Sequence, residues 1–364
     1  MTSTHDLLPC PFVAGPKITD LRLFIGRKNE LREIASRMNG IQPMSVNLTG
    51  ERRIGKSSLL YAFTHLWDQY VPPETRRHEY VVVYLDLQES SPSTGRLYYQ
   101  ALLKALRERP VWNRFPDLQS ALADCPPEEK AFDTFLHRCK ERGFLPVICL
   151  DEFETLFRYP QAFNNSFFDI QRGYMNASVL MYIIATNRPL DHYRREQRLT
   201  SSFFNLGHVL RLGEFSDEEA ADLARLPAST VPGVPAALSL DEQRRMREWG
   251  GRHPYLLQLA GYFLSQARQN GRDEAWAYEQ FLAEKRRLPR RFSLKRMLSQ
   301  ALQFLWDLPL YLGRLAKGVR KNTDDLKDRL TGLALLLVLL LILLGILRVD
   351  LLRAWLEKFL GVTP

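Results

Sequence analysis

Eight residues, "GERRIGKS" from Gly50 to Ser57, have the types and spacing of a phosphate-gripping loop, G-x-x-x-x-G-K-[ST]. Glycine at 50 and 55 lets backbone N–H groups turn inward onto phosphate oxygens at a helix N-terminus. Lys56 would then reach the β- and γ-phosphates, and the Ser57 hydroxyl would bind Mg²⁺. Arg53 within the loop and Ser58 just after it complete the phosphate side. A chance match in a glycine turn is the alternative, so the partners decide. "LPVICLDEFE", 145 to 154, supplies an acid for Mg²⁺, Asp151, and beside it a carboxylate able to activate water, Glu152. A solvated strand end would also contain such a pair. "VLMYIIATNR" ends in Asn187 and Arg188, either of which could contact phosphate or the attacking water, or simply cap a strand.

These groups need a scaffold that brings them to one edge. "MSVNLT" before the loop has strand composition, and "SSLLYAFTHLW" after it carries Leu59, Leu60, Phe63 and Leu66 near helical spacing. Val147 to Leu150 form a continuous apolar run of the kind found in a central parallel strand. "YVVVYLDL" at 80 to 87 and "HVLRLGEF" at 208 to 215 add two more strands. The expected fold is α/β: a doubly wound parallel-sheet P-loop NTPase, with ligands at the C-terminal ends of the strands. Helices follow. Ser216 with Glu219, and Ser239 with Glu242, have capping-box spacing, and Pro254 opens "PYLLQLAGYFLSQARQ", so a helical lid is predicted.

The chain has 364 residues, 45% of them apolar and 25% charged, which is ordinary globular composition. Its four cysteines show neither a CxxC pair nor a His partner at metal-ligand spacing, so a disulfide framework and a zinc site are both disfavoured. The first twenty residues lack a basic start followed by a sustained apolar stretch, so no secretory signal peptide is expected. The net charge of +9 is concentrated: residues 285 to 329 hold thirteen Lys or Arg against four acids, leaving residues 1 to 284 close to neutral. Directly after this stretch comes "LTGLALLLVLLLILLGIL", Leu330 to Leu347, eighteen residues without a charge. As a helix it spans roughly 27 Å, near the thickness of a bilayer's hydrocarbon core. A C-terminal transmembrane helix is expected in preference to a buried core helix. The heavier basic flank on its N-terminal side places the body in the cytoplasm by the positive-inside rule.

The resulting organisation is a lead segment (1–21), a P-loop ATPase core (22–215), a helical lid (216–284), a basic juxtamembrane segment (285–329), a transmembrane helix (330–348) and a short tail (349–364).

"RLFIGRKNELREI", "GERRIGKSSLL", "LPVICLDEFE", "IIATNR" and "GGRHPYLLQLAGYFL", in that order, resemble the STAND class of signalling P-loop ATPases, close to the archaeal-type ATPase branch of the AAA+ group. The resemblance covers residues 20 to 285. It implies ATP and Mg²⁺ as ligands, with Phe24, Ile25, Gly26 and Arg27 beside the adenine. It also implies that Gly251, Arg252, His253 and Pro254 close over the nucleotide from the lid. The winged helix and repeat sensor common in that class are not visible here. An arginine finger is unassigned; Arg194, Arg195 and Arg198 have the composition of a solvated helix face.

Three functions remain open: a membrane-anchored ATPase switch recruiting a protein client, a nucleic-acid-engaging ATPase of the origin-recognition kind, and a nucleotide-binding scaffold with negligible turnover. Charge crowded beside the apolar run favours anionic lipid over nucleic acid as the partner of residues 285 to 329. On that argument nucleic acid is the less expected partner. Self-association into a homo-oligomer is compatible with the resemblance. Slow hydrolysis of ATP by a single-pass membrane protein is the leading expectation.

Overall fold

The computed structural model describes residues 10–287. The expected apolar span and basic segment beyond Arg287 lie outside the described residues, and among these no helix is long and apolar enough to cross a membrane.

Five strands, β1 (Val46–Thr49), β2 (Glu79–Asp86), β3 (Phe144–Asp151), β4 (Met181–Thr186) and β5 (His208–Arg211), form one sheet in the order β2-β3-β4-β1-β5. Every pairing is parallel. Parallel neighbours need crossover connections, and the helices making them cover both faces. Alternation along each strand divides the core accordingly. Val81, Val83, Ile148, Leu150, Tyr182 and Ile184 pack on one side with the helices Gly95–Arg107, Glu129–Glu141 and Asn165–Asn176. Val82, Val147, Cys149, Ile183, Val46 and Leu48 pack on the other with Lys28–Met38 and Lys56–Tyr70. The α/β expectation therefore holds, with a sheet enclosed on both faces.

Because all five strands run the same way, the turns after β1, β2, β3 and β4 open at one sheet edge. β1 is flanked by β4 and β5, which puts the loop after β1 in the interior of that edge. Asn47, fully buried on β1, fastens the arrangement. Its Nδ2 donates to the Ile184 carbonyl (3.1 Å) and to Thr186 Oγ1 (2.8 Å), and its Oδ1 accepts from the N–H of Leu190 (3.0 Å). A buried amide with its polar atoms satisfied fixes the register of β1 on β4 and the exit of the chain from β4.

Four helices follow the sheet: Asp217–Ala224, Leu240–Gly250, Pro254–Gln269 and Glu274–Arg287. Both capping boxes form, Ser216 with Glu219 and Ser239 with Glu242. Each satisfies donors that a helix N-terminus otherwise leaves unpaired.

Candidate functional site

The loop from Gly50 to Gly55 has the backbone that its sequence requires. Gly55 sits at φ +97°, a conformation costly for L side chains, immediately before the helix Lys56–Tyr70. At Gly50 a Cβ would lie 2.9 Å from both Ile54 Cγ2 and the Leu212 carbonyl, so only glycine lets the loop close against the exit of β5. Arg53 also takes a left-handed conformation, at φ 64°, and its guanidinium lies over the Tyr255 ring at 4.2 Å.

Lys56 Nζ donates to the carbonyls of Gly50 (2.9 Å) and Glu51 (3.0 Å) and to Asn187 Oδ1 (3.1 Å). The P-loop lysine and the polar residue at the end of β4, 131 positions apart, are thus in direct contact. Ser57 stands in the first turn of the helix. Ser58 is turned elsewhere: its hydroxyl accepts from the N–H of Ile18 (3.0 Å), so its side chain anchors the lead segment.

Asp151 ends β3 and is 3% exposed. Its Oδ1 accepts from the N–H of Glu152 (3.0 Å) and its Oδ2 from the Tyr84 hydroxyl (2.8 Å). Glu152 follows at φ 50°, a strained left-handed turn that separates its direction from that of Asp151. Burial, followed by the nearby carboxylates Glu154 and Asp151, holds the Glu152 pKa above the usual value, with Lys56 opposing. A carboxyl shifted upward by desolvation is better matched to accept a proton near neutral pH than an exposed one.

Glu154, which the motif reading did not single out, bridges two turns of this edge. Its Oε1 accepts from the backbone N–H of Asn187 (2.6 Å) and from the Tyr193 hydroxyl (2.6 Å), joining the turn after β3 to the turn after β4. The second acid in "DEFE" was its only local signal.

Arg188 does not join this cluster. It is exposed, and its guanidinium bonds to the His192 ring one helical turn on. Arg194 and Arg195 both pair with Asp191, as expected of a solvated helix face.

The lid side is built around Arg27, which is 3% exposed. Its guanidinium donates to Glu30 (3.0 Å), to the Ile54 carbonyl in the P-loop (3.2 Å) and to the Gly213 carbonyl after β5 (2.7 Å), and it lies 4.6 Å from the Phe215 ring centroid. Its backbone N–H donates to Glu219 Oε1 (2.6 Å) in the lid. Gly26 takes φ +70°, a conformation that L side chains rarely adopt, and a Cβ there would crowd the same carboxylate. Phe24 packs against the core face formed by β1 and the helix Lys56–Tyr70. The Arg27 guanidinium thus joins the P-loop to the turn after β5, and its backbone N–H reaches Glu219 in the helix that follows.

His253 caps the helix that Pro254 begins, and Pro254 is buried. Burial holds the His253 pKa below the ordinary imidazole value, against the pull of Glu214 and the P-loop's Glu51. Its Nδ1 is buried and has no hydrogen-bond partner among the described residues.

These features fit the implied ligands. A loop that only glycine can close, followed by a lysine at a helix N-terminus, suits a polyphosphate. The Ser57 hydroxyl and the Asp151 carboxylate are hard oxygen donors, the set Mg²⁺ prefers when phosphates complete its shell. Among the described residues no group of three or more His, Cys, Asp or Glu side chains could hold a metal by itself.

No protein-family model matches the chain, and no curated protein matches it. Solved structures do match. A Walker-type ATPase of Pyrococcus abyssi shares 18% identity over 89% of this chain and 93% of its own, with a TM-score of 0.53. The ORC2 protein of Aeropyrum pernix shares 12% identity in two forms. Its ADPNP-ADP complexes cover 74% of this chain and 69% of that one, and its ADP form covers 86% and 79%, each with a TM-score of 0.52. At such identities the likeness concerns the fold alone, a parallel five-stranded α/β sheet here.

Proposed function

We propose that this chain binds and slowly hydrolyses ATP and works as a nucleotide-dependent switch of the STAND/AAA+ kind. One observation carries the reading: Lys56 of the P-loop bonds to Asn187 after β4 while its charge bears on Glu152 after β3, so three separate turns meet at one sheet edge. In this reading Lys56 and the loop N–H groups hold the phosphates, Glu152 takes the proton of the attacking water, and Asn187 orients that water. Mg²⁺, held by Ser57 and Asp151, would supply charge neutralisation of the β- and γ-phosphates. Arg27, whose guanidinium bonds to Ile54 and whose backbone N–H bonds to Glu219, and Arg53, which lies over Tyr255, connect the loop to the lid, which is the coupling a switch needs.

The test is turnover with two controls. Lys56→Ala should abolish ATP binding without unfolding the protein, and Glu152→Gln should retain binding and lose turnover. Wild-type turnover by Glu152→Gln would remove Glu152 as the base.

What the switch acts on has two readings. The first is membrane anchoring through residues 330–347, with the body cytoplasmic, anionic lipid held by residues 285–329 and a protein client recruited there; it is supported by the sequence alone. The second is nucleic-acid engagement of the origin-recognition kind, and the fold shared with the ORC2 protein keeps it level with the first. Full-length protein and a 1–329 truncation separate the two. Salt-sensitive binding of 1–329 to anionic vesicles supports the first, and salt-sensitive binding to duplex DNA in preference to vesicles supports the second.

A further inference from the structure

The lead segment touches both the lid and the P-loop helix. Phe12 packs its ring against Gly261 of the lid, where a Cβ would lie 2.6 Å from it, and the N–H of Val13 donates to Gln258 Oε1 (2.9 Å) on the same helix. Five residues on, the N–H of Ile18 donates to Ser58 in the P-loop helix. Between these anchors Lys17 reaches β2. Its ammonium donates to the Tyr84 hydroxyl (3.3 Å), lies 4.4 Å from the Tyr84 ring centroid and is 3.9 Å from an Asp86 carboxylate oxygen.

Tyr84 and Asp151 stand on adjacent parallel strands, and the Tyr84 hydroxyl donates to Asp151 Oδ2 at 2.8 Å. With the Glu152 N–H on the other oxygen, both carboxylate oxygens of Asp151 are held by donors of this chain. An ionised carboxylate offers about four lone-pair sites, so two remain for a metal or its water. A ligand whose orientation is set this way binds metal better than a free one, because the rotamer is fixed before the ion arrives.

From this chain of contacts we infer that Tyr84 is a positioning residue for Asp151, that Lys17 holds Tyr84 in that role, and that the lead segment thereby sets the Mg²⁺ requirement of nucleotide binding. The inference rests on the nucleotide-site reading above. The same segment is bonded to the lid helix Pro254–Gln269, so lid and metal-side acid are joined by one stretch of backbone.

The experiment titrates MgCl₂ while measuring affinity for the non-hydrolysable analogue AMP-PNP, using the full-length chain and Tyr84→Phe, Lys17→Met and the double variant. Affinity in EDTA and the melting temperature serve as controls that a merely structural role would move. Tyr84→Phe should raise the half-saturating Mg²⁺ concentration about tenfold, and Lys17→Met about threefold. The double variant should go no further than Tyr84→Phe alone, since Lys17 acts through Tyr84. An unchanged Mg²⁺ midpoint in Tyr84→Phe, or additive shifts in the double variant, overturns the inference and leaves the nucleotide site standing. Undiminished AMP-PNP binding by Lys56→Ala overturns the site reading itself, and this inference with it.

Discussion

Replacing Arg27 with methionine tests whether that side chain is a structural hub. The aliphatic part of the side chain is kept while the guanidinium is removed. Two carbonyls, Ile54 and Gly213, lose the donor that reaches them at 3.2 and 2.7 Å. The Ile54 bond is buried, and a buried acceptor left without its partner costs roughly 1–3 kcal/mol, whereas the exposed Gly213 can exchange its bond for one to water. The stacking on Phe215 contributes about 0.5–2 kcal/mol more. The Glu30 ion pair adds little, since that carboxylate is partly exposed. The total is roughly 1.5–5 kcal/mol, and in a unit of this size the melting temperature should fall by about 4–12 °C. Arg27→Lys should recover less than half of this, because one ammonium cannot replace a planar fork that serves three acceptors and a ring at once. The assay is thermal unfolding followed by tryptophan fluorescence, with and without ADP. ADP should stabilise the variant less than the wild type, because the Ile54 carbonyl belongs to the P-loop. A fall of under about 2 °C would refute the reasoning and return Arg27 to the nucleotide side.

Glu152 ionises less readily in the folded protein than in the unfolded chain, so the folded state binds more protons in the pH window between its unfolded and raised folded pKa, and stability falls as pH rises through that window. Glu152→Gln should therefore melt higher than wild type at pH 7, with the gain shrinking as pH falls toward the ordinary carboxylate range; a gain independent of pH would count against the burial argument. Hydrolysis should decline on acidification at a higher pH than an unshifted carboxylate would give, read from a pH–rate profile. Glu154→Ala removes the acceptor that holds the Asn187 N–H and the Tyr193 hydroxyl, so turnover should drop about tenfold or more through misplacement of Asn187. AMP-PNP affinity measured in parallel should change little, and a variant with wild-type turnover would remove Glu154 from the site.

The sequence by itself determined what consecutive residues can express. Glycine at 50 and 55 with Lys56 and Ser57, an apolar strand ending in Asp151 and Glu152, and the two capping boxes are local patterns whose chemistry needs neighbours within a turn or a strand. Tertiary structure decided what depends on pairing across the chain. Strand order places β1 between β4 and β5, and only this order brings Asn187 to Lys56. Arg188, next in sequence to Asn187, is exposed and bonds to His192 on the following helix. Nothing local to Arg27 shows that Ile54, Gly213, Phe215 and Glu219 close around it, and Tyr84 reads as one more strand position until β3 sets Asp151 beside it. The physical reason is the same in each case: a hydrogen bond between residues far apart in sequence exists only once packing has brought its partners within about 3 Å, and no periodicity in either segment records that distance.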